Sequence, residues 1–312
     1  MGMRISRFLA FALGFAGILP GDASAYVREV TSLGVPIAWS NPCVAMHIYL
    51  GSPPPLLTAS DFLGASTQAA ALWSYPQVAC TDVRLNVLAE PEASAGVGND
   101  RKNVIVLRQG SWCRDPSPVN DAGIPEPDCY SSSALAVTTI FKNKKTGEIV
   151  DADIELNAVN YSWGDLVGQP LLTTSTTADF QYALTHELGH VIGLDHNCFT
   201  VNDGQARLND NTGAPEVDCD TNPPPADTVL GATMYPSVSL PATPRRTLSP
   251  DDEQGACEIY PHVHDVCPGP ATDGGCSVTT ARVSARPWLE ICYVGLAIFL
   301  STLAFRPRRE KV

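Results

Sequence analysis

The stretch His186-Glu187-Leu188-Gly189-His190-Val191-Ile192-Gly193-Leu194-Asp195-His196 holds the densest set of candidate metal ligands in the chain. Residues four apart on a helix share a face, so His186 and His190 can each aim a ring nitrogen at a common ion. Glu187, one position on, projects beside that ion, where a carboxylate can take a proton from water. Gly193 permits the positive φ that ends a helix abruptly and turns the chain back. His196 then supplies a third imidazole, leaving the fourth position of a tetrahedral zinc for water, as catalytic zinc sites require. A bare His-Glu-x-x-His arises by accident fairly often. All five fixed positions together arise on the order of once in ten thousand chains of this length or less. The spacing therefore marks His186, His190 and His196 as expected zinc ligands and Glu187 as the expected general base.

Downstream stand Ala232-Thr233-Met234-Tyr235-Pro236 and Leu248-Ser249-Pro250-Asp251-Asp252-Glu253-Gln254-Gly255, running on to Ile259-Tyr260. With the histidine stretch, these segments resemble the metzincin metalloproteases, whose long zinc signature is followed by a Met turn. Within that group they resemble the matrixins. Ala69-Ala70-Ala71-Leu72-Trp73-Ser74 is similar to the first matrixin helix, and Val83 to Val87 to the strand after it. The resemblance covers residues 37–260. It implies an α+β (mixed α/β) metzincin-like catalytic domain: a twisted, mostly parallel sheet with an active-site helix, a Met turn and a C-terminal helix. It also implies a zinc endopeptidase acting on internal bonds of protein or peptide substrates. Met234 becomes a non-ligand floor, and Pro236 to Val238 line the pocket for the side chain just after the scissile bond. Asn197 stands where animal matrixins usually carry Ser. The interval from His196 to Met234 is longer than usual, and the acidic segment in it is expected to cover part of the cleft. Asn41-Pro42-Cys43-Val44 faintly resembles a prodomain inhibitory motif, but Cys43 is expected in a disulfide.

These groups need a scaffold. An extended apolar stretch from Ile37 to Leu50 reads as a strand closed by Pro53-Pro54-Pro55. Thr58-Ala59-Ser60-Asp61 offers caps for a helix whose Phe62, Ala69, Leu72 and Trp73 share a face. Val83 to Leu88 and Val104 to Leu107 read as short strands. Ala134 to Phe141 and Glu148 to Leu156 read as a pair joined across the turn at Lys142 to Gly147. A helix pattern runs from about Asp179 to Leu194. The acidic, proline-rich segment 197–227 reads as a disulfide-pinned surface loop. Ser249 caps a last helix, with Pro250 at its first position and acids toward the positive end of its dipole, ending near Tyr260-Pro261.

Both ends read as addresses. Arg4 and Arg7, the apolar run Phe8 to Leu19 and Ala23-Ser24-Ala25 form a signal-peptide pattern over residues 1–25. Residues 26–265 are then the catalytic domain and 266–287 a linker with Cys276. Residues 288–312 hold an apolar span followed by Arg306, Arg308, Arg309 and Lys311. Residues 276–312 resemble the myxobacterial C-terminal sorting tail, which implies processing at Cys276 and a cell-surface or extracellular destination, with membrane contact through the tail. A plain C-terminal anchor would place the domain outside the membrane just the same. Setting aside Cys276 and Cys292 leaves an even number of cysteines, as four disulfides in an oxidising compartment require. Proximity suggests Cys113–Cys129, Cys198–Cys219 and Cys257–Cys267, leaving Cys43–Cys80.

A formal net charge of −13 repels phosphates, so nucleic acid is not an expected partner. Calcium is a candidate second ion, since Asp151, Asp153, Asp203, Asp210, Asp218 and Asp220 are available. They lack the loop spacing that gathers six oxygens, and a solvated acidic surface is the preferred reading. His47 is expected at a packed or edge position, and His262 and His264 in a wet loop. Two rivals to the protease stand: a surface binding or adhesion module that keeps zinc for stability alone, and a zinc amidase acting on cell-envelope material. Oligomeric state is not legible.

Overall fold

The computed structural model describes residues 26–90, 96–114, 128–168, 174–200, 210, 213–238, 240, 246–263 and 267. The expected signal peptide, Asp203, His264, Cys276, Cys292 and the expected C-terminal span lie outside these residues. The chain opens with β1 (Val27–Arg28), β2 (Ala38–Trp39), β3 (Cys43–Tyr49), α1 (Ala59–Trp73), β4 (Arg84–Glu90) and β5 (Val104–Arg108). Next come β6 (Ala136–Lys142), β7 (Glu148–Asn157), β8 (Ser162–Gly164), β9 (Thr177–Asp179) and α2 (Phe180–Val191). Last are β10 (Leu194–Asp195), β11 (Cys198–Phe199), β12 (Val217–Asp218), α3 (Asp227–Leu230) and α4 (Pro250–Ile259). Among the described residues no helix is long and apolar enough to cross a membrane.

The architecture is mixed α/β around one mostly parallel sheet, in the order β2-β7-β5-β3-β4 with β6 added antiparallel to β7. Parallel neighbours need a crossover, and α1 supplies it between β3 and β4. α1 forms where expected. Thr58 and Asp61 make a reciprocal capping box, and Phe62, Ala69, Ala70 and Trp73 are buried. Trp73 donates from Nε1 to the carbonyl of Thr185 at 2.8 Å, which fastens α1 to α2. The expected strand from 37 to 50 is two strands: β2 pairs with β7, while β3 pairs with β4 and β5. The Lys142–Gly147 connection is the expected hairpin turn, with Gly147 at φ +75° and no room for a Cβ against the Pro36 carbonyl.

β7 overturns one expectation. Its alternate residues Ala152, Ile154 and Leu156 enter the hydrophobic core, but Asp151, Asp153, Glu155 and Asn157 on the other face are equally buried. Asp151 and Asp153 are therefore not a solvated surface, because a loop folds over them and its amides need acceptors. Asp151 accepts from the backbone N–H groups of Asp100 and Arg101, and Asp153 from those of Gly98 and Val104. Glu155 accepts from Arg108 Nε at 2.5 Å and from the Tyr130 hydroxyl at 2.7 Å.

Four disulfides form, two of them differently paired from the expectation. Cys113–Cys129 and Cys198–Cys219 are as expected, whereas Cys43 joins Cys267 and Cys80 joins Cys257. The reason is tertiary. After α4 the chain runs beside residues 80–82, with Asp82 N–H donating to Tyr260 and His262 N–H to Cys80. That brings the last described cysteines to β3 and to the approach to β4, so both bridges close loops of well over a hundred residues. His262 is largely exposed as expected, yet its Nδ1 lies 2.7 Å from Asp82 and its ring stacks on Tyr75.

Asp251, in the first turn of α4, is buried, and its Oδ1 has no hydrogen-bond partner. Burial, and then its neighbour Asp252, pushes its carboxyl up to about 7. A raised folded-state pKa gives stability that is fully present below the unfolded value near 4 and is lost as pH rises through about 7. The neutral isostere Asp251→Asn removes this penalty. Relative to wild type, the variant is expected to gain stability steadily between pH 4 and 8 in chelator-containing denaturation series. A difference that stays flat with pH would show that Asp251 does not titrate this way.

Candidate metal centre

The site is built on α2. Asp179 caps its N-terminus, accepting from the Tyr182 N–H at 2.8 Å, and is itself gripped by the Arg246 guanidinium. One face of the helix, with Phe180, Leu184, Leu188 and Val191, is buried in the core, while Tyr182, His186, Glu187 and His190 line a cleft. Gly193 has φ +95°, and a Cβ there would stand 2.8 Å from the Ile37 carbonyl oxygen. Glycine is thus required twice over where the helix turns back. The returning chain forms β10, which pairs antiparallel with β1 and delivers His196.

The three imidazoles converge. Their ring centroids lie 4.9 to 5.3 Å apart, and one ligand nitrogen from each falls within 4.8 Å of the others. His186 Nδ1 lies 2.7 Å from the Thr233 carbonyl and His190 Nδ1 lies 2.8 Å from that of Leu194. A carbonyl only accepts, so each Nδ1 carries the proton and each neutral ring leaves Nε2 bare. The two Nε2 atoms nonetheless face each other at 3.2 Å. Two facing lone pairs have no proton to share and suit a cation between them, which is how the donor set fits a metal such as zinc. Burial, and then the neighbouring His190, hold the His186 imidazole below its ordinary pKa, favouring the neutral form a ligand needs.

Behind the ligands, the segment from Ala232 to Pro236 is fixed by α4. Asp252 accepts from the backbone N–H of Thr233 at 2.8 Å and of Met234 at 3.3 Å while also completing the Ser249 capping box. Met234 is buried against Gly189, where any Cβ would collide with its sulfur. Asn197, buried next to the third histidine, donates from its backbone to Met234 and from its side chain to Val229. The Cys198–Cys219 bridge closes the loop two residues beyond His196.

The cleft has a volume of about 870 Å³, and besides the residues of α2 and His196 it is lined by Glu29, Val30, Ser131, residues 133–138, Tyr235 to Val238 and Leu240. Among the described residues β6 pairs with β7 alone, and its second edge takes no strand there. Its residues Ala136, Val137 and Thr138 line the cleft. Tyr161 bonds Ser133 ahead of it, Thr138 bonds Glu187 at mid-length and Lys142 pairs with Glu29 at its end. Pro236 to Val238 do line the cleft. Among the described residues no other group of three His, Cys, Asp or Glu side chains converges on one point, the described acids considered for calcium included. Sequence reasoning missed Thr138, Asp252 as a holder of the Met segment, and the Asn197 bridge. Only Asp252 had a signal, and that signal pointed to helix capping.

Compared with known proteins, the chain matches no family model, and no curated protein matches it.

Proposed function

We propose that this protein is an exported zinc endopeptidase of the metzincin class, matrixin-like in its Met turn and C-terminal helix. One observation carries the reading: His186, His190 and His196 converge at the floor of an open cleft, with the Glu187 carboxylate beside them. Zinc held by these three side chains supplies Lewis acidity, acidifying water and polarising a carbonyl oxygen. The chain's own residues do the rest. The open edge of β6 offers main-chain hydrogen bonds to an extended peptide, which favours a polypeptide substrate over a small amide. Glu187 takes a proton from the attacking water as oxygen bonds to the carbonyl carbon, and passes it to the departing amine as the C–N bond breaks. Tyr235 to Val238 also line the cleft and receive side chains of the bound peptide. Four disulfides support an oxidising, extracytoplasmic destination, consistent with the signal-like start and the sorting-type tail.

The test is a peptide library incubated with the purified protein, with and without a zinc chelator. Cleavage at internal bonds that the chelator stops and added zinc restores is the expected result. Stoichiometric zinc without any cleavage would instead favour a binding module. Release of amides from envelope fragments alone would favour the amidase.

A further inference from the structure

Glu187 is held by a residue outside both the histidine stretch and the Met turn. On β6, Ala136 and Ile140 pack against the hydrophobic core, and Thr138 lies between them on the same face of the strand. It is the polar member of an apolar row. Its Oγ1 lies 2.6 Å from Glu187 Oε2 and 3.3 Å from the Glu187 carbonyl oxygen. A hydroxyl has one proton to give, and the shorter contact to a carboxylate is the charge-assisted one. Oε2 is therefore engaged, which leaves Oε1 to exchange protons in the cleft.

We infer that Thr138 is a positioning residue that clamps one oxygen of the Glu187 carboxylate, so that the strand offered to the substrate also orients the base. The inference rests on the protease reading for its catalytic consequence. The clamp itself does not depend on that reading. Substrate pairing along the edge of β6 and correct placement of the proton acceptor then become one structural requirement. A displaced edge strand loses both.

The isostere Thr138→Val keeps the β-branched shape and removes the hydroxyl, while Thr138→Ser keeps the hydroxyl and removes a methyl. In the valine variant kcat is expected to fall about tenfold to a hundredfold with KM nearly unchanged, since only transition-state proton transfer is affected. The serine variant is expected to recover most of kcat, and both should bind zinc stoichiometrically. Crystal structures give a readout that needs no turnover: the Glu187 carboxylate keeps its place in wild type and in Thr138→Ser and leaves it in Thr138→Val. A valine variant with wild-type kcat, failure of serine to rescue, or an unmoved carboxylate would each overturn the inference. If wild type cleaves no peptide, the protease reading fails, while the crystal structures still decide whether Thr138 holds Glu187.

Discussion

Glu187→Gln is expected to lower turnover of a cleaved peptide by about a thousandfold or more while one zinc stays bound per chain. Two features make the substitution clean. Glu187 is not among the converging nitrogen donors, so replacing it leaves the three imidazoles intact. Glutamine also keeps a carbonyl oxygen within reach of the Thr138 hydroxyl, so the side chain stays where the carboxylate stood. What the amide cannot do is accept a proton near neutral pH. The loss should fall on kcat, because the proposed substrate pairing along β6 does not involve this atom. Metal content by atomic absorption, peptide affinity and kcat measured on the same preparation check all three. Normal turnover in the glutamine variant would remove Glu187 from its role; lost zinc would mean that its carboxylate helps hold the metal.

Much of the scaffold could be read from local chemistry, and the failures share a cause. The capping boxes at Thr58 and Ser249, the Gly147 turn and the Gly193 helix stop are each set by residues within a few positions. Those were legible because capping and positive φ are short-range requirements. Likewise the His186–His190 spacing fixes a shared helix face wherever the helix sits. β1 and β10 have two residues each and exist only because they meet. No periodicity announces them. Cysteine pairing failed where partners lie far apart in sequence, since residues 261–263 return to run beside 80–82. The acidic face of β7 misled for the same reason. Alternation says which residues share a face but not whether a later or earlier loop covers it. Thr138 shows the limit at the site: nothing near it in sequence reveals that a glutamate 49 residues on will accept its hydrogen bond.

The metal centre should depend on Asp252 as well as on the histidines, although Asp252 touches none of them. Its carboxylate accepts from the Thr233 and Met234 amides, and the Thr233 carbonyl in turn accepts the His186 Nδ1 proton. Oδ2, the oxygen that holds the Thr233 amide, also accepts from the backbone and hydroxyl of Ser249. Asp252→Ala strands two buried amides and opens the cap, so a stability loss of about 3 kcal/mol or more is expected in the metal-free protein. With Thr233 released, His186 loses the bond that fixes its tautomer and ring angle, and zinc affinity should drop about tenfold to a hundredfold. Ser249→Ala separates the two consequences. It removes the hydroxyl from the same cap but leaves Asp252 on the Met segment, so about 1 kcal/mol of stability should go with zinc affinity unchanged. Competition against a chromophoric chelator measures the affinity, and urea unfolding in chelator measures the stability. If Asp252→Ala weakened folding yet bound zinc like wild type, the path from α4 through Thr233 to His186 would carry packing alone, and the metal would be held by its ligands without that support.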